Sequence, residues 1–334
     1  MARRPTLKDI AQMTRVSEMT VSRVLRGKGE ASPYTCDRVR EAAKTLGYVP
    51  NQIAGSLSSS RVNLIGVIVP SVSSSVFSEV LTGIINVLKK TQLQPVFGVT
   101  GYDLNVEETV VRQMLSWQPS GLIIAGLEHT DAARLMMENS GIPIAEIMDV
   151  DGDPIDMNIG ISHEKAGFDM GVLIAEKGYT NIGFIGTKIH TDFRAGKRFA
   201  GFKKALKQAG LSIVDQEFYT GSSTLRIGKD VTQKLLARNP SLDFIYYSND
   251  LLAAGGLMHC IAHDIAVPAQ LGLAGFNGLE LREGLPKLTA TTNAFREEIG
   301  LKAAQMIVAA TQSDNKRSHE IITFASKIEP GDTL

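Results

Sequence analysis

Residues 6–25 read TLKDIAQMTRVSEMTVSRVL, two short helical patterns joined by a tight turn. The first carries Leu7, Ile10 and Ala11 on one face. Ser17 opens the second as a side-chain N-cap, and Val21, Val24 and Leu25 form its buried stripe. Glu18, Met19, Ser22 and Arg23 are left facing outward near its start. A second helix held across a first, with its N-terminal residues exposed, presents side chains to a DNA major groove. The segment therefore points to sequence-specific DNA binding.

Charge agrees with this. Residues 1–61 hold 11 Lys and Arg against 5 Asp and Glu, a balance of +6, and the remainder carries −6, so the net charge of zero hides an asymmetry. A basic segment on an acidic body suits phosphate contact by one domain alone. The 334 residues have room for about two to three domains at roughly 100–200 residues each. No run approaches the ~18 apolar residues of a membrane span, and no apolar stretch follows the basic start Met1–Pro5, so neither a membrane segment nor a signal peptide is expected. Cys36 and Cys260 lie in separate segments without metal-ligand spacing, which reads as free thiols in a cytoplasmic protein. No metal or cofactor is expected.

A third helix begins at Ser32-Pro33, where Ser32 caps and Pro33 fits the first turn, and runs to about Leu46 before Gly47 ends it. Residues 51–60, NQIAGSLSSS, are polar and small apart from Ile53 and Leu57. They form at best a marginal helix that something else must order. From Asn63 strand-like runs at 63–70, 94–99, 121–126 and 142–148 alternate with helical runs at 76–91, 105–117 and 131–139. After Pro154 the alternation restarts, with strands at 182–186, 213–219, 243–247 and 271–275. Helices fall at about 163–177, 194–209, 225–238 and 249–263, and a helix (295–311) and strand (319–324) close the chain. Such βαβ alternation in two blocks argues for an α/β class with two doubly wound parallel-sheet lobes.

The helix-turn-helix, LGYVPN at 46–51, IGVIVPS at 65–71, SGLIIAG at 120–126, GFIGT at 183–187, RFAGFKKAL at 198–206, SNDLLAAGG at 248–256 and AGFNG at 274–278 occur in order. Together they resemble the LacI/GalR family of bacterial transcription regulators. MLSWQPSGLII (114–124), EHT (128–130), IPIAEIMD (142–149) and SVFSEVLTGI (75–84) look most like its gluconate-utilisation repressor branch. The resemblance implies a helix-turn-helix head over 1–49, a hinge helix over 50–61 and a periplasmic-binding-protein-like core over 62–334. The core's first lobe is expected at about 62–161 and 292–323, and its second at about 162–291 and 324–330.

The resemblance places Glu18, Met19 and Arg23 at base-reading positions. Arg23 suits a bidentate pair with guanine, worth about 1–3 kcal/mol of discrimination. Glu18 reads either as an acceptor for a cytosine amino group or as a helix-start residue favoured by the dipole. Thr20 and Ser22 suit phosphate contacts, which position without specifying. Thr6, Leu7, Ser17, Asn51 and Ala54 complete the implied DNA-binding set, with Leu57 as an apolar wedge entering the minor groove from paired hinge helices. A homodimer on a near-palindromic, double-stranded operator follows from that wedge geometry.

In open α/β sheets ligands sit beyond the carboxyl ends of strands. There the resemblance places Phe77, Asp149, Arg198, Asn249, Asp250, Phe276 and Asn277 as effector-binding residues. Arg194, His129 and Lys188 lie near the same cleft. An excess of donors suits a carboxylate, so a sugar or gluconate-like sugar acid is the expected effector. Asp250 also reads as a helix cap, Phe77 as core and His129 as a loop residue. A sugar-metabolising enzyme and a plain sugar-binding protein on the same core are the competing classes. The chain carries no G-x-G-x-x-G after its first strand, no G-x-x-x-x-G-K-[ST] loop and no G-x-S-x-G turn.

Overall fold

A computed structural model describes residues 5–25, 31–49, 62–187, 190–313 and 319–334. The chain divides into two compact units, Met1–Val62 and Asn63–Leu334. The segment expected as a hinge, 50–61, lies outside the described residues.

In the first unit, local capping writes the helix boundaries. Helix α1 (Leu7–Thr14) starts with a capping box, in which Thr6 Oγ1 accepts from the Asp9 amide and the Thr6 amide donates to Asp9 Oδ2 at 2.7 Å. Arg15 closes it in the left-handed region at φ 52°, where its N–H bonds the Ala11 carbonyl. Ser17 Oγ then accepts from the Thr20 amide at 3.1 Å and opens α2 (Glu18–Leu25). Ser32 caps α3 (Pro33–Thr45), with proline in the first turn. Ile10, Val21, Val24, Val39, Ala42 and Ala43 pack together as a small core. Leu7 and Tyr48 pack half-buried against it.

The second unit is built on two larger sheets and one ribbon. The first sheet runs β11-β5-β4-β3-β1-β2. Its strands are β1 (Val62–Val69), β2 (Gln94–Val99), β3 (Pro119–Ala125), β4 (Ile144–Asp149), β5 (Met157–Ile161) and β11 (Ile321–Thr323). Helices α4 (Ser75–Leu88), α5 (Leu104–Ser116), α6 (Asp131–Asn139) and α11 (Arg296–Gln312) accompany it. The second sheet runs β7-β6-β8-β9, from β6 (Ile182–Gly186), β7 (Ile213–Phe218), β8 (Phe244–Tyr247) and β9 (Gly272–Ala274). Its helices are α7 (His163–Glu176), α8 (Phe193–Gln208), α9 (Leu225–Arg238) and α10 (Asp250–Ala262). An antiparallel ribbon pairs β10 (Thr291–Asn293) with β12 (Lys327–Glu329). The pairs β1–β2, β3–β4, β4–β5, β5–β11, β6–β7, β6–β8 and β8–β9 are parallel.

Parallel strands covered on both faces must be apolar almost throughout. IGVIV in β1, LIIA in β3 and FIYY in β8 meet that demand and are buried. The chain passes between the two sheets after β5, between β10 and α11, and after β11. The strands β5, β10 and β12 are absent from the expectation above. Each is only three to five residues long, too short for an apolar run or an alternation to stand out from its surroundings. Pairing partners rather than local pattern make these segments strands.

Candidate ligand site and DNA-reading helix

A cavity of about 440 Å³ opens where the carboxyl ends of both sheets converge. The first sheet's side contributes Pro70, Ser71, Ser73–Phe77, Gly101, Tyr102 and Met148. The second contributes Arg194, Arg198, Ser222, Ser223, Ser248, Asn249 and Phe276, among others. Three lining residues hold positive φ without being glycine: Tyr102 at 66°, Met148 at 79° and Asn277 at 113°. Strained backbone at ligand clamps is a recurrent use of such conformations.

Arg198 is the best-anchored charge in the cavity. Its Nη1 donates to His163 Nδ1 at 2.9 Å and its Nη2 to the Ser248 carbonyl at 3.2 Å. Its guanidinium lies over the Phe276 ring, 3.9 Å from the centroid. Two glycines make this possible. A Cβ on Gly167 of α7 would stand 1.9 Å from the Arg198 carbonyl, and one on Gly201 of α8 would stand 1.9 Å from the Glu164 carbonyl. Only without those side chains can α7 and α8 touch backbone to backbone. Arg194 sits one turn earlier on α8, 5.6 Å from the Phe77 centroid, with Asp192 at 3.9 Å. Tyr102 faces both arginines, and burial, reinforced by Asp192, pushes its hydroxyl up to about 12, so it stays a donor.

Of the residues expected to bind effector, Phe77, Arg194, Arg198, Asn249, Phe276 and Asn277 line the cavity. His129, Asp149 and Asp250 are not among its lining, and each is committed elsewhere. His129 is held between two buried carboxylates, with Nδ1 2.6 Å from Glu107 Oε1 and Nε2 3.2 Å from Glu146 Oε1. Asp149 is wholly buried, accepts from the Asp151 amide at 3.0 Å and meets the ammonium of Lys197. Asp250 Oδ1 accepts from Thr291 Oγ1 at 2.6 Å and Oδ2 from the Leu279 amide at 2.8 Å. It therefore ties the start of α10 to neighbouring segments, while Asn249 is the N-cap of that helix. Lys188 lies outside the described residues. His163, Tyr102 and Lys197 were not singled out from the sequence. A histidine opening a helix, a tyrosine after a glycine and one lysine among several give no local signal. Among the described residues no group of three or more His, Cys, Asp or Glu could hold a metal ion.

On α2, Glu18, Met19 and Arg23 are exposed, and Thr20 and Ser22 are half-exposed. Met19 keeps 65% of its surface. Thr6 and Ser17 are exposed caps, and Leu7 packs on the core. Asn51, Ala54 and Leu57 fall outside the described residues.

Comparison with known proteins agrees with both halves. Residues 6–51 match the bacterial regulatory proteins of the lacI family, and residues 63–328 match the periplasmic binding proteins and sugar binding domain of the LacI family. The HTH-type transcriptional regulator GntR of Pseudomonas aeruginosa is 35% identical over 92% of this chain and 89% of its own. The HTH-type transcriptional regulator IdnR of Escherichia coli is 31% identical over 99% of both chains. The crystal structure of a LacI-family transcriptional regulator from Silicibacter pomeroyi superposes with a TM-score of 0.95 at 54% identity, covering 98% of this chain and 99% of that one. The fold also matches a lac repressor dimer bound to operator and anti-inducer, with a TM-score of 0.80 at 20% identity. This chain belongs to the LacI family of bacterial regulatory proteins.

Proposed function

We propose that this protein is a sequence-specific transcriptional repressor whose operator affinity is set by a sugar acid bound between the lobes of its core. The head reads a near-palindromic operator as a homodimer through the exposed face of α2, with Arg23 and Met19 toward the bases and Glu18 beside them. It acts in the cytoplasm, at the nucleoid. No helix among the described residues is long and apolar enough to cross a membrane. The chemistry of the cavity is recognition and not turnover.

One observation carries the effector class. Arg194 and Arg198 stand a turn apart on α8 and both line a cavity otherwise rich in serine hydroxyls and amides. The two aspartates that would offset them, Asp149 and Asp250, are bonded elsewhere. Asp192 is the carboxylate in the lining and lies 3.9 Å from Arg194. Such a site favours a polyol bearing a carboxylate over a neutral sugar. A thermal-shift screen of sugars against sugar acids, D-gluconate included, tests this, because a ligand of the folded state raises stability by mass action. Stabilisation by acids and not by their neutral counterparts is expected. Stabilisation by neutral sugars alone would sink the assignment.

A further inference from the structure

His163 is buried, yet it lines the cavity, and both of its ring nitrogens are assigned by their partners. Nε2 lies 2.9 Å from the Met148 carbonyl, which only accepts, so Nε2 carries the proton. Nδ1 lies 2.9 Å from Arg198 Nη1, which only donates, so Nδ1 offers its lone pair. The imidazole is therefore neutral and in one tautomer. A second proton would set an N–H against an N–H. Burial, reinforced by the nearby charge of Arg198, pushes the imidazole well below the ordinary histidine range, in keeping with this. The ring also lies 5.7 Å from that of Phe276, on which Arg198 stacks.

We propose that His163 is a positioning residue of the effector site: its bare Nδ1 fixes the rotation of the Arg198 guanidinium, and its Nε2–H ties that guanidinium to Met148 in the first lobe. This rests on Arg198 receiving the effector's carboxylate. Arg198 then has three restraints, at His163, at the Ser248 carbonyl and on the Phe276 face, and its remaining N–H groups are aimed before the ligand arrives. Pre-aimed donors lose less freedom on binding. The same contact links the lobes. Met148 is the penultimate residue of β4 in the first sheet, at φ 79°, while Arg198 stands on a helix of the second. The guanidinium that grips the ligand is thus referenced to the opposite lobe.

Two measurements test this on the full-length protein. NMR of protein labelled at histidine and arginine, with no ligand present, reads the tautomer and the mobility of the guanidinium. The proposal expects a neutral Nε2–H ring for His163 and slowed rotation at Arg198 Nη at pH 7, and faster rotation in His163→Leu. A doubly protonated or Nδ1–H ring would overturn it. Calorimetry with D-gluconate reads the consequence. His163→Asn, which keeps an acceptor where Nδ1 stands but loses the Nε2–H to Met148, should bind a few-fold more weakly than the unmodified protein, and His163→Leu about tenfold or more weakly. Equal losses in the two variants, tracking their melting temperatures, would make His163 structural only and overturn the proposal. If the unmodified protein binds no sugar acid, the effector reading falls, while the NMR result still decides the role of His163.

Discussion

Lys197 of α8 places its ammonium against the buried carboxylate of Asp149, at the end of β4, and so joins the second lobe to the first. The same ammonium reaches the Asp151 carbonyl at 2.9 Å and Glu128 at 2.7 Å. Burial works against the charge of Lys197, but hydrogen bonds to Asp149 and Glu128 outweigh it and raise its pKa. Lys197→Met should leave Asp149 buried and unpaired, at a cost of about 3–5 kcal/mol. Chemical denaturation of the core would read this as a lowered midpoint. Adding Asp149→Asn should recover part of the loss, because the stranded charge is then gone. No loss in the single variant would show that the pair holds nothing.

Asp149 also separates what is local in the sequence from what only the fold brings together. The βα alternation was legible because long apolar runs and capped amphipathic helices are local patterns. α6 and α9 fall at the residues expected, 131–139 and 225–238. Arg198 and Phe276 were placed near the crevice by family resemblance, and both line the cavity. The partners of Asp149, Asp250 and His129 were not. Lys197 is 48 positions from Asp149, Thr291 is 41 from Asp250, and Glu107 is 22 from His129. A carboxylate near a cleft looks like a ligand contact until the fold supplies a closer cation or hydroxyl.

His129 gives the core a dependence on alkaline pH. Burial alone would lower its pKa, but the hydrogen bonds and charges of Glu107 and Glu146 raise it from the ordinary histidine value of 6.5 to about 9. A group whose folded pKa is raised stabilises fully below its unfolded pKa and loses that contribution as pH rises through the folded one. Stability of the order of 3 kcal/mol should therefore be lost between pH 6.5 and somewhat above 9. Denaturation midpoints across that range check it. His129→Gln should flatten this part of the profile while lowering stability near neutrality. An unchanged slope would place the titration elsewhere.

Gly201→Ala should disturb the site without touching it. The new Cβ would meet the Glu164 carbonyl at 1.9 Å, a backbone atom that no side-chain rotation relieves. Helices α7 and α8 must separate, at a cost of about 1–3 kcal/mol or more, and His163 must draw back from Arg198. A lowered melting temperature together with weakened D-gluconate binding is expected. Normal binding in a destabilised protein would show that the helix contact is not what aims Arg198.

In the head, Arg23→Ala should weaken operator binding by about 1–3 kcal/mol and relax the preference at one base pair of each half-site. Selection from a random DNA pool, run with both proteins, reads the preference directly. An unchanged consensus with lower affinity would reduce Arg23 to a phosphate contact.

On the function proposed above, a sugar acid held by Arg198 controls operator binding. The direct measurement is affinity for a DNA fragment recovered by such selection, titrated with D-gluconate and related acids, for the unmodified protein and for Arg198→Ala. The unmodified protein should change its DNA affinity about tenfold or more on saturation with an effective acid, within the usual range of coupling. Arg198→Ala should bind the same DNA with nearly unchanged affinity and show no response. A variant that responds as the unmodified protein does would remove Arg198 from the switch, and an unmodified protein that no sugar acid affects would rule out sugar-acid control.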